Sequence, residues 1–261
     1  MIPFKHQASR LKQRLQKKEL TVGSWLTIPH RSVVEVFAKS GFEWVVIDLE
    51  HAPIGIDQTA ELIAHIQGNG MQALVRVTKN EEVIIKRVLD AGADGIVVPM
   101  IKSKQEAEKA VSFTYYPPLG SRGVGLNRAQ HYGEGFEAYK KWLNKNIVII
   151  AQIEHIDAIQ NLDEILSAEG IDGTIIGPYD LSGSMGFPGE YNRTDVKDAL
   201  QSYITKVNKA NKPLGYHVIE SDALFSIEKI QQGYSLIAFS IDFFFLGDRA
   251  KSELKKIKES K

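Results

Sequence analysis

Eight short apolar runs, rich in β-branched residues, alternate along this chain with stretches of helical period. The runs fall at residues 22–28, 44–50, 71–77, 95–101, 147–154, 173–180, 213–219 and 236–242. Several are almost unbroken Val and Ile, as in Val45-Val46-Ile47 and Ile96-Val97-Val98. A strand with a solvated face alternates polar and apolar side chains, so unbroken runs mark strands covered on both faces. The helical stretches are 32–39, 57–67, 81–91, 104–112, 156–168, 194–210 and 221–232, with Gly41, Gly70, Gly92 and Gly170 placed to stop helices. Regular alternation implies a parallel sheet, and eight strands favour a closed (β/α)8 TIM barrel over an open doubly wound sheet. The 261 residues match the ~250 of such a barrel. With no internal repeat or linker, residues 1–261 read as a single domain. The ends, 11–18 and 250–261, read as charged helices suited to pack on the barrel or on a neighbouring subunit.

Composition removes several chemistries. Lys plus Arg and Asp plus Glu each number 32, so nothing global points to nucleic acid or to a membrane surface. Cysteine is absent, so any metal is held by oxygen or imidazole, and disulfides and thiol nucleophiles are excluded. No apolar run approaches the ~20 residues of a membrane span, and the basic first residues lack the apolar core of a signal peptide. A soluble, cytoplasmic protein is expected.

In a barrel enzyme the chemistry sits at the C-terminal ends of the strands. The polar residues there are Asp48, Glu50 and His51 at the end of the second run, Arg76 in the third, Gln152 and Glu154 in the fifth, and Gly177, Pro178, Tyr179 and Asp180 in the sixth. Glu154 and Asp180 would end adjacent strands. Two carboxylates so placed repel unless one is protonated or a cation joins them. Mg²⁺ and Mn²⁺ take oxygen ligands; capping a helix or pairing with surface bases is the other reading. Gln152 shares strand parity with Glu154 and suits a water or substrate oxygen, or is satisfied by backbone. Arg76 suits an oxyanion, or forms an ion pair with Asp48 or Glu50. His51, close to Asp48, suits acid/base work, though a lone histidine is more often structural. His6, His30, His65 and His131 fall in tails, loops or helices, His155 directly follows Glu154, and His217 sits within the seventh strand.

Other features narrow the reaction. Lys79 and Lys102 lie outside the strands, which argues against a Schiff base. The eighth strand runs into Phe243-Phe244-Phe245-Leu246 rather than a glycine-rich loop, which argues against a phosphorylated substrate. Residues 120–125 are glycine-rich without a strand–helix context, so they carry no dinucleotide reading. The interval 114–136, with Pro117-Pro118 and several glycines, is long enough to be a functional loop, or else a surface insertion.

Seven stretches in order carry a resemblance: 23–26, 41–53, 74–77, 88–101, 116–125, 152–154 and 176–186. Across residues 11–246 the chain resembles the HpcH/HpaI aldolase family, class II pyruvate aldolases. The resemblance implies a (β/α)8 barrel assembled as a homohexamer, a trimer of dimers that exchanges C-terminal helices. It implies cleavage of 4-hydroxy-2-oxo acids to pyruvate, or a close analogue, and an aldehyde, with Mg²⁺, Mn²⁺ or Co²⁺. By motif match, Glu154 and Asp180 would hold the metal, Arg76 would stabilise the enolate, and His51 with Asp48 would form an acid/base dyad. Gln152, Gly177, Pro178, Tyr179 and Trp25 would contact substrate, and Asp90 would reach a neighbouring subunit's site. Tyr179 stands where the family has a small residue. The stretch 125–133, which contains Arg128, and Tyr216-His217 also depart from its pattern, which points to a different aldehyde pocket. The alternatives are a 2-oxo acid decarboxylase, acting on oxaloacetate through the same enolate, and a non-catalytic ligand-binding or scaffold barrel.

Overall fold

A computed structural model describes residues 9–260 and closes the eight runs into one parallel barrel, β1 to β8 in sequence order. The strands are β1 (Thr21–Leu26), β2 (Trp44–Asp48), β3 (Gln72–Arg76), β4 (Gly95–Val98), β5 (Val148–Ile153), β6 (Gly173–Ile176), β7 (Leu214–Val218) and β8 (Leu236–Ile241). The helices begin with α1 (Arg10–Lys17), α2 (Arg31–Ser40), α3 (Ile56–Gly68), α4 (Glu82–Asp90), α5 (Lys104–Thr114) and α6 (Phe136–Asn146). They continue with α7 (Ile156–Gln160), α8 (Leu162–Leu166), α9 (Pro178–Ser184), α10 (Thr194–Lys209), α11 (Ala223–Gln231) and α12 (Asp242–Glu259). Gly41, Gly70, Gly92 and Gly170 all have positive φ, as the helix stops require. No described helix is long and apolar enough to cross a membrane. His6 lies outside the described residues.

The departures from expectation have local causes. The sixth strand stops at Ile176 because Pro178 takes the first helical position of α9, where its missing N–H costs nothing. Asp180 therefore sits in a helical turn rather than on a strand. The stretch 156–168 is two short helices meeting at Asn161. The long interval is structured, with a 3₁₀ turn at Arg128–Gly133 followed by α6. The eighth strand ends at Ile241, and Phe243 to Leu246 form the first turns of α12 instead of a strand end.

Strand pairing sorts the inward side chains into layers, each drawn from alternate strands. Following the register around the barrel, Val46, Val97, Ile175 and Ala238 form one layer from the even strands. Above them, on the C-terminal side, lie Trp25, Arg76, Gln152 and His217 from β1, β3, β5 and β7. Below them, Gly23 and Gly215 stand on one side, on β1 and β7, and Leu74 and Ile150 on the other, on β3 and β5. The Trp44 indole fills the room that Gly23 leaves and donates to Thr21 Oγ1 at 3.1 Å. At the N-terminal end α1 closes the barrel, packing Leu11 and Leu15 onto the interior cluster. Its Lys12 Nζ donates to the Ile147 carbonyl at 2.7 Å and pairs with Asp172 at 2.9 Å.

A Cβ at Gly23 would stand 2.1 Å from the Trp44 ring, deep in a close-packed interior. Gly23→Ala is expected to lower stability by about 1–3 kcal/mol, read as an earlier urea midpoint. An unchanged midpoint would mean the ring has room to move.

Candidate active site

A cleft of about 510 Å³ opens at the C-terminal ends of the strands. Its wall includes Asp48, His51, Arg76, Gln152, Gly177, Pro178, Tyr179, Asp180 and His217. A smaller hollow of about 200 Å³ lies at the opposite end beside α1, remote from these groups. Trp25 is 1% exposed and lies beneath the cleft instead of in its wall.

Asp48 and Arg76 are register partners on β2 and β3. Arg76 Nε donates to Asp48 Oδ1 at 2.9 Å and Nη2 donates to Oδ2 at 2.8 Å, a two-pronged pair buried on both sides. Arg76 Nη1 lies 3.2 Å from Glu50 Oε2, and the guanidinium carbon rests 4.4 Å from the Trp25 ring centre. Burial would raise the Asp48 carboxyl, but the Arg76 guanidinium outweighs it and holds the group below its usual range. The ion pair foreseen for Arg76 is therefore present, and Arg76 also faces the cleft.

Asp48 is occupied by Arg76 and by backbone. Its Oδ1 also accepts from the N–H groups of Glu50 at 3.0 Å and His51 at 3.4 Å. The His51 imidazole does not meet this carboxylate. It stands 70% exposed at the rim, with Nε2 at 3.8 Å from Glu50 Oε2. Of the two acids that precede the histidine in the sequence, Glu50 is thus the one beside its ring.

Glu154 follows β5 and is buried, whereas Asp180 is exposed on α9. Glu154 Oε1 accepts from the Met100 N–H at 2.7 Å, and Oε2 accepts from Gln152 Nε2 at 2.5 Å. Burial, with the charges of Glu50 and Asp180 nearby, pushes the Glu154 carboxyl up to about 7. Burial raises Glu50 too, against the pull of Arg76. Unrelieved negative charge gathered around a buried carboxylate is the setting a divalent cation relieves. Among the described residues no group of three or more His, Asp or Glu could close on a metal. Glu154 and Asp180 nevertheless fit an ion that takes one or two carboxylates and completes its shell with water or substrate oxygens.

Three buried polar atoms of the upper layer have no partner: Trp25 Nε1, Gln152 Oε1 and His217 Nε2. The sequence places His217 within the seventh strand and, with Tyr216, among the departures from the family pattern that point to a different aldehyde pocket. Its ring lies 4.9 Å from Trp25, and burial, reinforced by Arg76, depresses its pKa to about 3. Asp242 was missed. Its carboxylate accepts from the N–H groups of Thr27, Ile28 and Phe243 and from the Thr27 hydroxyl, which fixes the loop after β1 at the cleft edge. Its only sequence signal is the acid that ends the eighth run. Asp90 does not line the cleft. It ends α4 and accepts from Arg122 Nη2 at 2.5 Å and Gln130 Nε2 at 3.1 Å. Arg122 is fully buried against Tyr116 and Tyr139, so Asp90 anchors its own chain's long connection.

A parallel eight-stranded barrel with this polar mouth is matched by relatives over nearly its whole length. The family model described as HpcH/HpaI aldolase/citrate lyase matches residues 21–244. The 2-keto-3-deoxy-L-rhamnonate aldolase of Escherichia coli strain K12 is 34% identical over 252 residues, 96% of this chain and 93% of that protein. An HpcH/HpaI aldolase/citrate lyase family protein from Burkholderia cenocepacia J2315 superposes with a TM-score of 0.91 at 30% identity, covering 96% of this chain and 100% of that one. The HpcH/HpaI aldolase from Desulfitobacterium hafniense DCB-2 gives 0.88 at 28% identity, covering 97% and 98%. The fold and site define a barrel enzyme of the carbon–carbon lyase class. The chain belongs to the HpcH/HpaI aldolase/citrate lyase family.

The His217 shift has a consequence for pH. The unfolded imidazole titrates near 6.5 and the folded one near 3. Between those values the unfolded chain binds more protons, so this group's contribution to stability falls as pH drops through that window. In His217→Leu that loss disappears. Urea unfolding at about pH 7.5 and about pH 5 should therefore show a smaller decline in the variant than in the wild type. Equal declines would mean that His217 is not held neutral.

Proposed function

We propose that this protein reversibly cleaves 4-hydroxy-2-oxo acids to pyruvate, or a close analogue, and an aldehyde, using a divalent metal ion held by Glu154 and Asp180. The observation that carries this reading is the cleft floor. It holds a guanidinium locked by Asp48 and polar atoms left without partners, and its Gln152 donates to the buried Glu154 carboxylate. The named activity of the Escherichia coli relative, an aldolase acting on a 2-keto acid, supports it.

The all-oxygen donor set suits Mg²⁺ or Mn²⁺, with Co²⁺ the third candidate. When bound, such an ion supplies Lewis-acid polarisation of the 2-oxo group. Arg76 commits two N–H groups to Asp48 and keeps others for the substrate, placing positive charge where the enolate oxygen develops. Gln152 Oε1 is free to accept from a substrate hydroxyl or a water. His51, exposed at the rim, takes the proton of the 4-hydroxyl, and Glu50 beside it stabilises the imidazolium. The C3–C4 bond breaks, and its electron pair forms the C2–C3 double bond of the enolate while the carbonyl pair moves onto oxygen. The aldehyde departs past Tyr179, which is half-exposed at the cleft wall. Return of a proton to C3 gives pyruvate.

The direct test is proton NMR of pyruvate in D₂O with the purified protein. The methyl signal should fade with Mn²⁺ and persist with EDTA. Arg76→Ala should slow the exchange by ~10²–10³-fold, about 3–4 kcal/mol, with an unchanged circular dichroism spectrum. Near-normal exchange in that variant would remove Arg76 from the chemistry.

The proposed assembly is a homo-oligomer, a trimer of dimers. Only Asp242 of α12 is buried, and Phe243, Leu246, Leu254 and Ile257 are exposed. At 100° per residue these four fall within about 80° of arc, one apolar stripe. A second copy would cover it. Light scattering should report a multimer that Leu254→Glu with Ile257→Glu breaks into smaller species. A monomeric wild type would overturn the assembly.

A further inference from the structure

The floor of the cleft divides into two halves. On β3 and β5, with Glu154 and Asp180 beyond them, stand the groups suited to substrate oxygens: Arg76 and Gln152. On β7 stands His217, across the barrel from Arg76 and separated from it by the Trp25 indole, which both contact. His217 lines the cleft, yet its Nε2 is buried with no hydrogen-bond partner. A buried polar atom left unpaired is costly, and protein sites place such atoms where a ligand or water completes them.

We propose that His217 selects a 2-oxo acid donor bearing a hydroxyl on carbon 3 in preference to pyruvate, by hydrogen-bonding that hydroxyl in the cleft floor. The inference rests on the 2-oxo acid aldolase reading above and deepens it. With carboxylate and keto oxygens held on the β3–β6 side, carbon 3 lies beyond the keto carbon, toward β7. A methyl group there neither donates nor accepts, so the pyruvate complex leaves Nε2 unpaired. A hydroxymethyl group does both and satisfies the ring nitrogen in either tautomer. Burial and Arg76 keep the imidazole uncharged, so His217 offers a hydrogen bond rather than a cation for a second carboxylate. The substrate class in the cleavage direction is then 3,4-dihydroxy-2-oxo acids instead of their 3-deoxy counterparts.

The experiment compares deuterium exchange at carbon 3 of hydroxypyruvate and of pyruvate in D₂O, with Mn²⁺ and with enzyme-free rates subtracted. The wild type should favour hydroxypyruvate, and His217→Leu should lower the hydroxypyruvate-to-pyruvate ratio by about tenfold or more. His217→Gln, which can still hydrogen-bond, should keep most of the preference. A ratio unchanged by His217→Leu, or a wild type that favours pyruvate, overturns the proposal. Should the leucine variant not fold, ¹⁵N-histidine spectra of the wild type decide. The His217 Nε2 signal should move on adding hydroxypyruvate and not on adding pyruvate, and equal shifts overturn the proposal. Exchange of neither donor by the wild type would instead bring down the aldolase reading itself.

Discussion

Inside a closed eight-stranded barrel there is room for about four side chains per layer, and every second residue of every strand must enter one. That limit governs the whole molecule. Trp44 is admitted because Gly23 contributes no side chain to the layer above it. Val46, Val97, Ile175 and Ala238 seal the next level. Only above that seal can polar side chains stand on strands, and there Trp25, Arg76, Gln152 and His217 appear. The floor of the cleft is thus rigid scaffold, while Tyr179, Asp180 and His51 sit on the connections that follow the strands.

Placing a guanidinium on such a floor sets the electrostatics of its surroundings. Arg76 is buried, so it needs a counter-charge, and its register partner Asp48 supplies one in two-pronged geometry. Asp48 is then spent on Arg76, and it can steady His51 only through the backbone. The remaining acids, Glu50, Glu154 and Asp180, crowd one another, and the buried Glu154 feels this most. One side of the cleft is consequently short of positive charge, while the other, at His217, holds a polar atom in surroundings that keep it uncharged.

Much of this was legible in the sequence, and the reasons differ by residue. The eight strands were readable because burial on both faces removes the polar alternation that blurs a half-buried strand. Arg76, Glu154 and Gln152 were readable as polar residues ending apolar runs. Asp180 was readable as chemistry but misplaced as structure, since Pro178 permits either a turn or a helix start. The split role of Glu50 and Asp48 was hidden because both precede His51 within three residues, and only the register decides which one takes Arg76 in the two-pronged pair. The unpartnered nitrogen of His217 was hidden for a stronger reason. Whether a ring nitrogen is satisfied depends on side chains from strands far apart in sequence, such as Trp25 on β1. The Asp90–Arg122 pair, 32 residues apart, belongs to the same class of fact.

The helix that closes the bottom of the barrel also constrains how the chain reaches its native state. The partners of Lys12 lie 135 and 160 residues further along, on the connections that enter β5 and β6. Its Leu11 N–H is held by Gln72, at the start of β3. A ribosome therefore delivers α1 well before most of what it docks against exists. Contacts of such long sequence separation form late because loop closure must come first. The stopper is made first, yet it cannot be fully seated until partners made much later are in place.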